Sequence, residues 1–213
     1  MMLAAGELSN AQVERLPAIE RMDVWLIEAA RPVLENPTVR KIGELGKAGD
    51  DKLLLVLSVG ITAAGLARGN GKLQRAGLRM LLAQLVAKAA KEAGKNSVDR
   101  SRPSQQLEEG RYVAKGGNSK VHALRSFPSG HTASALAVAR AFSREYPKYL
   151  KPLLTVAWVI GVLQVPRRAN YPGDVAAGAG AGLLAEKLAA LSQARQNCGA
   201  NAASLSGLPG NSG

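Results

Sequence analysis

Leu53 to Ala67 is a predominantly apolar run of fifteen residues, fenced by Asp50-Asp51-Lys52 on one side and Arg68-Gly69-Asn70-Gly71-Lys72 on the other. A strand is usually about 5 to 6 residues, and a bilayer-crossing helix uses about 20. The run is therefore read as a helix that is either covered by other helices or lengthened at its ends by snorkelling lysine and arginine side chains. Leu153 to Leu163 is likewise apolar on every side. Val175 to Leu184 carries a stripe of small residues with Gly178 and Gly182 at GxxxG spacing, which lets helices approach closely. In a water-exposed helix each such glycine costs about 1 kcal/mol, so close packing must compensate. About Leu73 to Ala93, Leu78, Met80, Leu82, Leu85 and Val86 alternate with Arg79, Lys88 and Lys91, which predicts an amphipathic helix facing a partner or an interface. Hydrophobic residues make up 46% of the chain and aromatics only 4%, and β-branched alternation is scarce. The expectation is an all-α protein of one medium domain.

Net charge is +12, from 28 basic and 16 acidic residues. Such an excess favours polyanionic partners: nucleic acid, anionic lipid or phosphorylated small molecules. The single cysteine, Cys198, excludes an internal disulfide. The first residues lack a basic segment followed by an apolar one, so a cleaved secretory signal is not expected. Ser9 to Gln12 reads as a capping box opening a helix with Val13, Leu16, Ile19 and Met22 on one face. A stronger periodicity runs from Asp23 to Leu34 through Trp25, Leu26, Ala29 and Val33, closed by Asn36-Pro37. From Ser192 the chain is rich in Asn, Gly and Ser and is expected to be disordered.

Three clusters carry chemistry. The first is Lys95-Asn96-Ser97-Val98-Asp99-Arg100-Ser101-Arg102-Pro103, where Arg102 suits a forked contact to phosphate and Lys95 a point charge. The second is Arg125-Ser126-Phe127-Pro128-Ser129-Gly130-His131-Thr132, a tight polar turn opening an apolar helix. Free N–H groups at a helix start, a serine hydroxyl and the positive end of the helix dipole favour an anion there. His131, with an ordinary pKa near 6.5, can serve such a site as a general acid. The third is Asn170-Tyr171-Pro172-Gly173-Asp174, which opens the glycine-striped helix. His122, in the loop before the turn, is read as a surface residue without a chemical role. No metal site is indicated, because the acidic residues lack ligand spacing.

In order and spacing, Lys95-x6-Arg102-Pro103, then Pro128-Ser129-Gly130-His131, then Tyr171-Pro172-x-Asp174 resemble the type 2 phosphatidic acid phosphatase (PAP2) superfamily, which includes bacterial acid phosphatases and vanadium haloperoxidases. The resemblance runs from about Asp23 to Leu188 and implies an all-α bundle of about six core helices. It divides the chain into an N-terminal helical extension (1–22), a PAP2-like phosphatase domain (23–191) and a polar tail (192–213). It implies that Lys95, Arg102, Ser129 and the Gly130 N–H hold a phosphate while His131 protonates the leaving oxygen, with no cofactor.

The third motif departs from the family's Ser-Arg-x5-His-x3-Asp. Asn170 stands where the nucleophilic histidine is expected, and Leu163 and Gln164 stand where Ser-Arg is expected. An amide nitrogen, its electrons delocalised into the carbonyl, cannot attack phosphorus. The chain is thus expected to be inactive or impaired as a phosphatase. Asp174, ready to orient a histidine, is expected to accept a hydrogen bond from the Asn170 amide. Arg167 and Arg168 lie three and four residues after Gln164 and are candidates to replace the missing arginine, Arg168 being favoured, with Pro166 as the complication. The alternatives are a natural pseudoenzyme that binds phosphorylated lipid without cleavage and a basic nucleic-acid-binding protein. The near absence of aromatic stacking platforms disfavours the latter. The expected substrate is a phosphomonoester or diphosphate, most suitably lipid-linked, with a bacterial membrane as the location, no nucleic acid as partner, and a homo-oligomer left open.

Overall fold

A computed structural model describes residue 14 and residues 16–206, with side chains placed as far as residue 193. The capping box at Ser9 to Gln12 and the tail beyond Ser206 lie outside the described residues. Nine α-helices occur among those described: α1 Ala18–Ala29, α2 Arg31–Leu34, α3 Pro37–Gly43, α4 Asp51–Ala67, α5 Gly71–Lys95, α6 Pro103–Glu109, α7 Gly130–Glu145, α8 Leu150–Val162 and α9 Pro172–Ser206. Strands β1 (Val98–Arg100) and β2 (Ala114–Gly116) form a small antiparallel pair with Arg100 opposite Ala114. The all-α expectation holds.

The long helices α4, α5, α7, α8 and α9 make the bundle, and α5 and α7 are its centre: α5 packs against α4, α7 and α9, while α7 also packs against α8 and α9. In α7 the residues from Thr132 to Ala139 are all buried, so this helix is surrounded. The core is built of small side chains. One cluster joins Met80, Ala83 and Ala87 of α5 to Ala137, Val138 and Ala141 of α7 and to Ala185 and Ala189 of α9. A second joins Leu136 and Ala139 of α7 to Ala157 and Ile160 of α8 and to Ala179 of α9. Alanines bury little area each, so cohesion rests on backbone proximity and dispersion contacts. The GxxxG pair supplies that proximity: a Cβ at Gly178 would run into the Ser129 carbonyl oxygen, and one at Gly182 into that of Ala133. Helix α9 is therefore seated directly on the start of α7.

Several boundaries differ from the sequence reading. The Asp23–Leu34 periodicity is split at Ala30, because Pro32 starts the short helix α2. The buried face is Val24, Ile27 and Leu34, whereas Trp25 is 64% exposed. Asn36 opens α3 rather than merely closing what precedes it, since its side chain accepts a hydrogen bond from the Thr38 N–H at 2.8 Å. Helix α9 continues to Ser206, through the first part of the segment expected to be a disordered tail.

Chain direction sorts the bundle into two ends. Helices α4, α7 and α9 begin where α5 and α8 finish, so Asp51, Lys95, Gly130, Gln164 and Asp174 gather at one end. The turns at 68–70 and 146–149 gather at the other. Gly178→Ala is expected to lower unfolding stability by about 1–3 kcal/mol through overpacking against α7. Denaturant unfolding of the two chains under identical solution conditions checks this, and a change within experimental error would show that α9 and α7 are not in close register.

Candidate active site

Strand β1 organises the site end. Arg100 bonds through its backbone to β2 on one side and forms a parallel bridge with Arg125 on the other, where its carbonyl accepts the Ser126 N–H at 3.1 Å. The segment entering the Pro128–His131 turn is thereby laid alongside the segment that leads to Arg102. The Phe127–Pro128 peptide is cis. Ser129 precedes α7 without any side chain capping that helix, and its N–H donates to the Asp174 carbonyl at 3.0 Å. The turn and the first residues of α9 are therefore stitched together.

Arg100 lies at the centre of a buried ion cluster. It is 4% exposed and donates to Asp174 Oδ1 at 2.5 Å, to Asp23 Oδ2 at 2.9 Å and to the Tyr112 hydroxyl at 3.0 Å, with the Tyr171 ring 4.5 Å beneath it. Burial opposes its charge, but Asp174, Tyr112 and Asp23 outweigh that penalty and raise its pKa. Asp174 is fully buried and also accepts from the Ser126 hydroxyl at 2.5 Å and the Tyr171 N–H at 2.9 Å. Asn170 does not reach this carboxylate as the sequence suggested. Its Nδ2 donates to the Ser126 carbonyl at 2.5 Å, and its Oδ1 accepts from Ser129 Oγ at 3.2 Å. The Asn170 amide is engaged by the Ser126 carbonyl, while the Asp174 oxygens take three other donors. Asn170 is tied instead to the turn that carries His131.

Beside this neutralised cluster lies one that is only partly neutralised, with Arg167 Nε 3.6 Å from Glu44. Arg167 Nη1 stands 3.5 Å from His131 Nε2 and donates to Gln164 Oε1 at 3.1 Å. Arg102 donates through Nε to the His122 carbonyl at 3.1 Å. Among the described residues no carboxylate forms an ion pair with Lys95 or Arg102. Burial and then the positive charge of Lys91 lower the Lys95 pKa, with Arg102 and Arg125 adding to the effect and Glu92 opposing it. Burial and then Arg167 lower that of Arg102. His131 is pushed down to about 4 by burial and then by Arg167, against the pull of Asp50 and Asp51. Exposed His122 is lowered first by Arg102 and then by burial, so it borders the same field. Like charges crowded around an uncapped helix N-terminus are what an anion site needs. All these groups sit at helix ends or in loops.

Of the residues singled out from the sequence, Lys95, Arg102, Ser129, Gly130, His131, Asn170 and Asp174 come together. Arg168 does not face this cluster: it sits at φ 57°, in the left-handed region, and its guanidinium lies 3.3 Å from Glu108. The chain after α8 turns rather than continuing as helix, so Arg167 faces His131 instead. Sequence reasoning missed Arg100, Asp23 and Ser126. It also missed Lys91, which pairs with Asp51 beside Gly130, while Asp51 also accepts from the Ser134 hydroxyl at 2.6 Å. Among the described residues no group of three or more His, Cys, Asp or Glu is placed to hold a metal.

Residues 76–198 match the profile of the PAP2 superfamily. The chain belongs to that superfamily. This PAP2 chain is 38% identical over 77 residues to a lipid A 1-phosphatase of Rhizobium johnstonii, a match covering 36% of the chain and 31% of that protein. It is 39% identical over 70 residues to a lipid A 1-phosphatase of Porphyromonas gingivalis, covering 31% of the chain and 16% of that protein. The matched region thus spans less than a third of these relatives. The crystal structure of Aquifex aeolicus LpxE superposes with a TM-score of 0.51 at 21% identity, over 78% of this chain and 91% of that one, and shows the fold.

The depressed His131 pKa sets a test. A dianion bound against the imidazole favours its charged form and raises the pKa from about 4 towards or above its ordinary 6.5. Binding must then take up a proton at intermediate pH, and affinity must fall as pH rises. Calorimetry with sulfate, which does not itself titrate there, is expected to show uptake of a proton at about pH 6 in buffers of different ionisation enthalpy. His131→Gln is expected to abolish it. Equal uptake by the variant would remove His131 from the anion site.

Proposed function

We propose that this chain binds the phosphate of a lipid-linked phosphomonoester or diphosphate in a PAP2-type site, with Asn170 in the nucleophile's place leaving hydrolysis absent or severely impaired. One observation carries the reading: Lys95, Arg102, Arg167 and His131 crowd around the uncapped start of α7, and among the described residues Lys95 and Arg102 have no carboxylate partner. A phosphate there would take a forked contact from Arg102, point charge from Lys95, and N–H donors from the start of α7. Arg167, rather than Arg168, would supply the contact that the family's motif arginine makes. His131, charged once the anion is in place, would protonate a leaving oxygen.

The lipid character of the substrate is supported by the surface. Val56, Leu66, Val162, Leu184 and Leu188 of α4, α8 and α9 are each 58–69% exposed, part of a belt more extensive than isolated surface apolar residues make. Among the described residues one helical stretch, Pro172–Gln193, is by length and composition apolar enough to cross a membrane. Between α4 and α5 a groove of about 280 Å³ is walled by Leu55, Leu81 and Leu85, edged by Lys52, Gln84 and Lys88, and starts at Asp51, next to the Lys91–Gly130 edge of the site. Its lining suits an acyl chain. The protein is accordingly read as embedded in, or tightly bound to, a bacterial membrane, with the apolar belt in lipid and the site outside it. The relatives named as lipid A 1-phosphatases agree with a lipid-linked phosphate.

A second reading, binding without cleavage, is favoured by the hydrogen bonding of Asp174. Its carboxylate accepts from Arg100, Ser126 and the Tyr171 N–H, so it holds the site together without any histidine at position 170. The two readings separate in one experiment. The chain and its Asn170→His variant are assayed for inorganic phosphate release from phosphorylated lipids and soluble phosphomonoesters, and for stabilisation by orthovanadate. The expected outcome is vanadate stabilisation of both chains, its loss in Lys95→Ala with Arg102→Ala, and a gain in release of several orders of magnitude for Asn170→His. Covalent nucleophiles contribute about 10⁴ to 10⁶ in hydrolases. Release that stays at background in a folded, vanadate-binding variant leaves the binding-only reading.

A further inference from the structure

The end of the bundle opposite the site has a composition of its own. Segments 53–87, 129–163 and 175–193 contain nine lysines and arginines against two carboxylates, Glu145 and Glu186. Most of this charge lies at the turns after α4 and α7. The two carboxylates are committed to the framework. Glu145 takes Arg79 at 2.8 Å and Arg75 at 3.4 Å, joining α5 to α7. Glu186, 2% exposed, takes Arg144 and lies 3.6 Å from Arg140, joining α9 to α7. Among the described residues Arg68, Lys72, Lys148, Lys151 and Lys187 form no ion pair with a carboxylate, and all five are exposed. Two of these lysines rest on aromatic faces. Lys72 Nζ is 4.9 Å above the Tyr146 ring, and Lys148 Nζ is 4.8 Å above that of Tyr149. Tyr146 stacks on Phe142 at 4.9 Å, so a shelf of three rings underlies the charge.

We infer that this cap is a docking surface for the anionic headgroups of a phospholipid bilayer. Three features point to lipid rather than to another polyanion. The charge stands at the rim of the apolar belt on α4, α8 and α9, where headgroups meet acyl chains. Tyrosines with an apolar body and a polar tip suit that boundary. The free cations are mostly lysines, point charges that attract a diffuse anionic surface and make no forked, oriented contacts. A nucleic acid strand would meet an apolar wall immediately beside the cap. The inference adds a second anion surface to the membrane reading above and rests on that reading. The two are tested separately, because vanadate reports the phosphate site alone.

The test uses the full chain in a non-ionic detergent, with orthovanadate present throughout to saturate the phosphate site. Short-chain phosphatidylglycerol or phosphatidylcholine is added, and thermal unfolding is followed. Phosphatidylglycerol is expected to stabilise the protein at concentrations at least tenfold below phosphatidylcholine. The combined Lys72→Gln, Lys148→Gln and Lys151→Gln variant is expected to lose at least about tenfold of that preference, since each basic group near an anionic surface contributes about fivefold. A control with the same charge change at the site end, Arg111→Gln, Lys115→Gln and Lys120→Gln, is expected to keep it. Single Lys148→Gln serves if the combined variant does not fold, with a proportionate loss expected. Equal stabilisation by the two lipids, an unchanged cap variant, or an equal loss in the control would overturn the inference. So would tighter binding of a single-stranded oligonucleotide than of phosphatidylglycerol, lost in the same cap variant.

Discussion

A fully charged guanidinium, 4% exposed, sits between two carboxylates drawn from distant parts of the chain: Arg100 of β1 holds Asp23 of α1 and Asp174 of α9. Taking three charges out of water costs several kcal/mol per ion, and the arrangement is tolerable only because every oxygen and nitrogen involved has a partner. Asp23 also accepts the Gly173 N–H at 2.9 Å, and Asp174 accepts Ser126 and Tyr171. Removing any one member would leave a buried charge uncompensated, at a cost of about 3–5 kcal/mol. The placement of the α7 turn, the start of α9 and the N-terminal helices all hang on this one cluster.

The bundle itself is held differently. With alanine and glycine at most helix contacts, large side chains contribute little, and close backbone approach takes their place. The stripe Gly178 and Gly182 is a precondition of the site, because it lets Asp174 reach Ser126 and lets the Asp174 carbonyl reach Ser129. Packing and chemistry meet in the same two turns of α9.

Much of this was legible from the sequence because it is local. A serine and glycine before an apolar alanine run announce a helix start. GxxxG spacing announces a close helix contact, and it was found between α9 and α7. The sequence places Lys95 and Arg102 together at the exit of a helix; Lys95 is there, whereas Arg102 follows β1 and opens α6. What escaped was non-local or depended on a single dihedral. Arg100 stood between two motif residues as one more basic loop residue, and its partners Asp23 and Asp174 lie 77 and 74 positions away. The choice between Arg167 and Arg168 turned on whether the chain after α8 stays helical. It does not: Arg168 adopts φ 57°, and the order of the two side chains reverses relative to a continuing helix. The expected Asn170–Asp174 hydrogen bond failed because the amide is engaged by the Ser126 carbonyl, a non-local partner that no sequence rule supplies.

The cluster of Lys95, Arg102, Arg167 and His131, where Glu44 beside Arg167 is the one carboxylate paired among the described residues, has a consequence for how any ligand arrives. Half-buried cations with little carboxylate of their own attract neutralising charge from the surrounding solution, where phosphate or other small oxyanions can supply it. On the proposed function, a phosphorylated lipid would enter by exchange, trading places with a small ion. Its apparent affinity becomes a ratio of two affinities, set by the buffer as much as by the protein. The same chain would look like a tight binder in chloride and a weak one in phosphate.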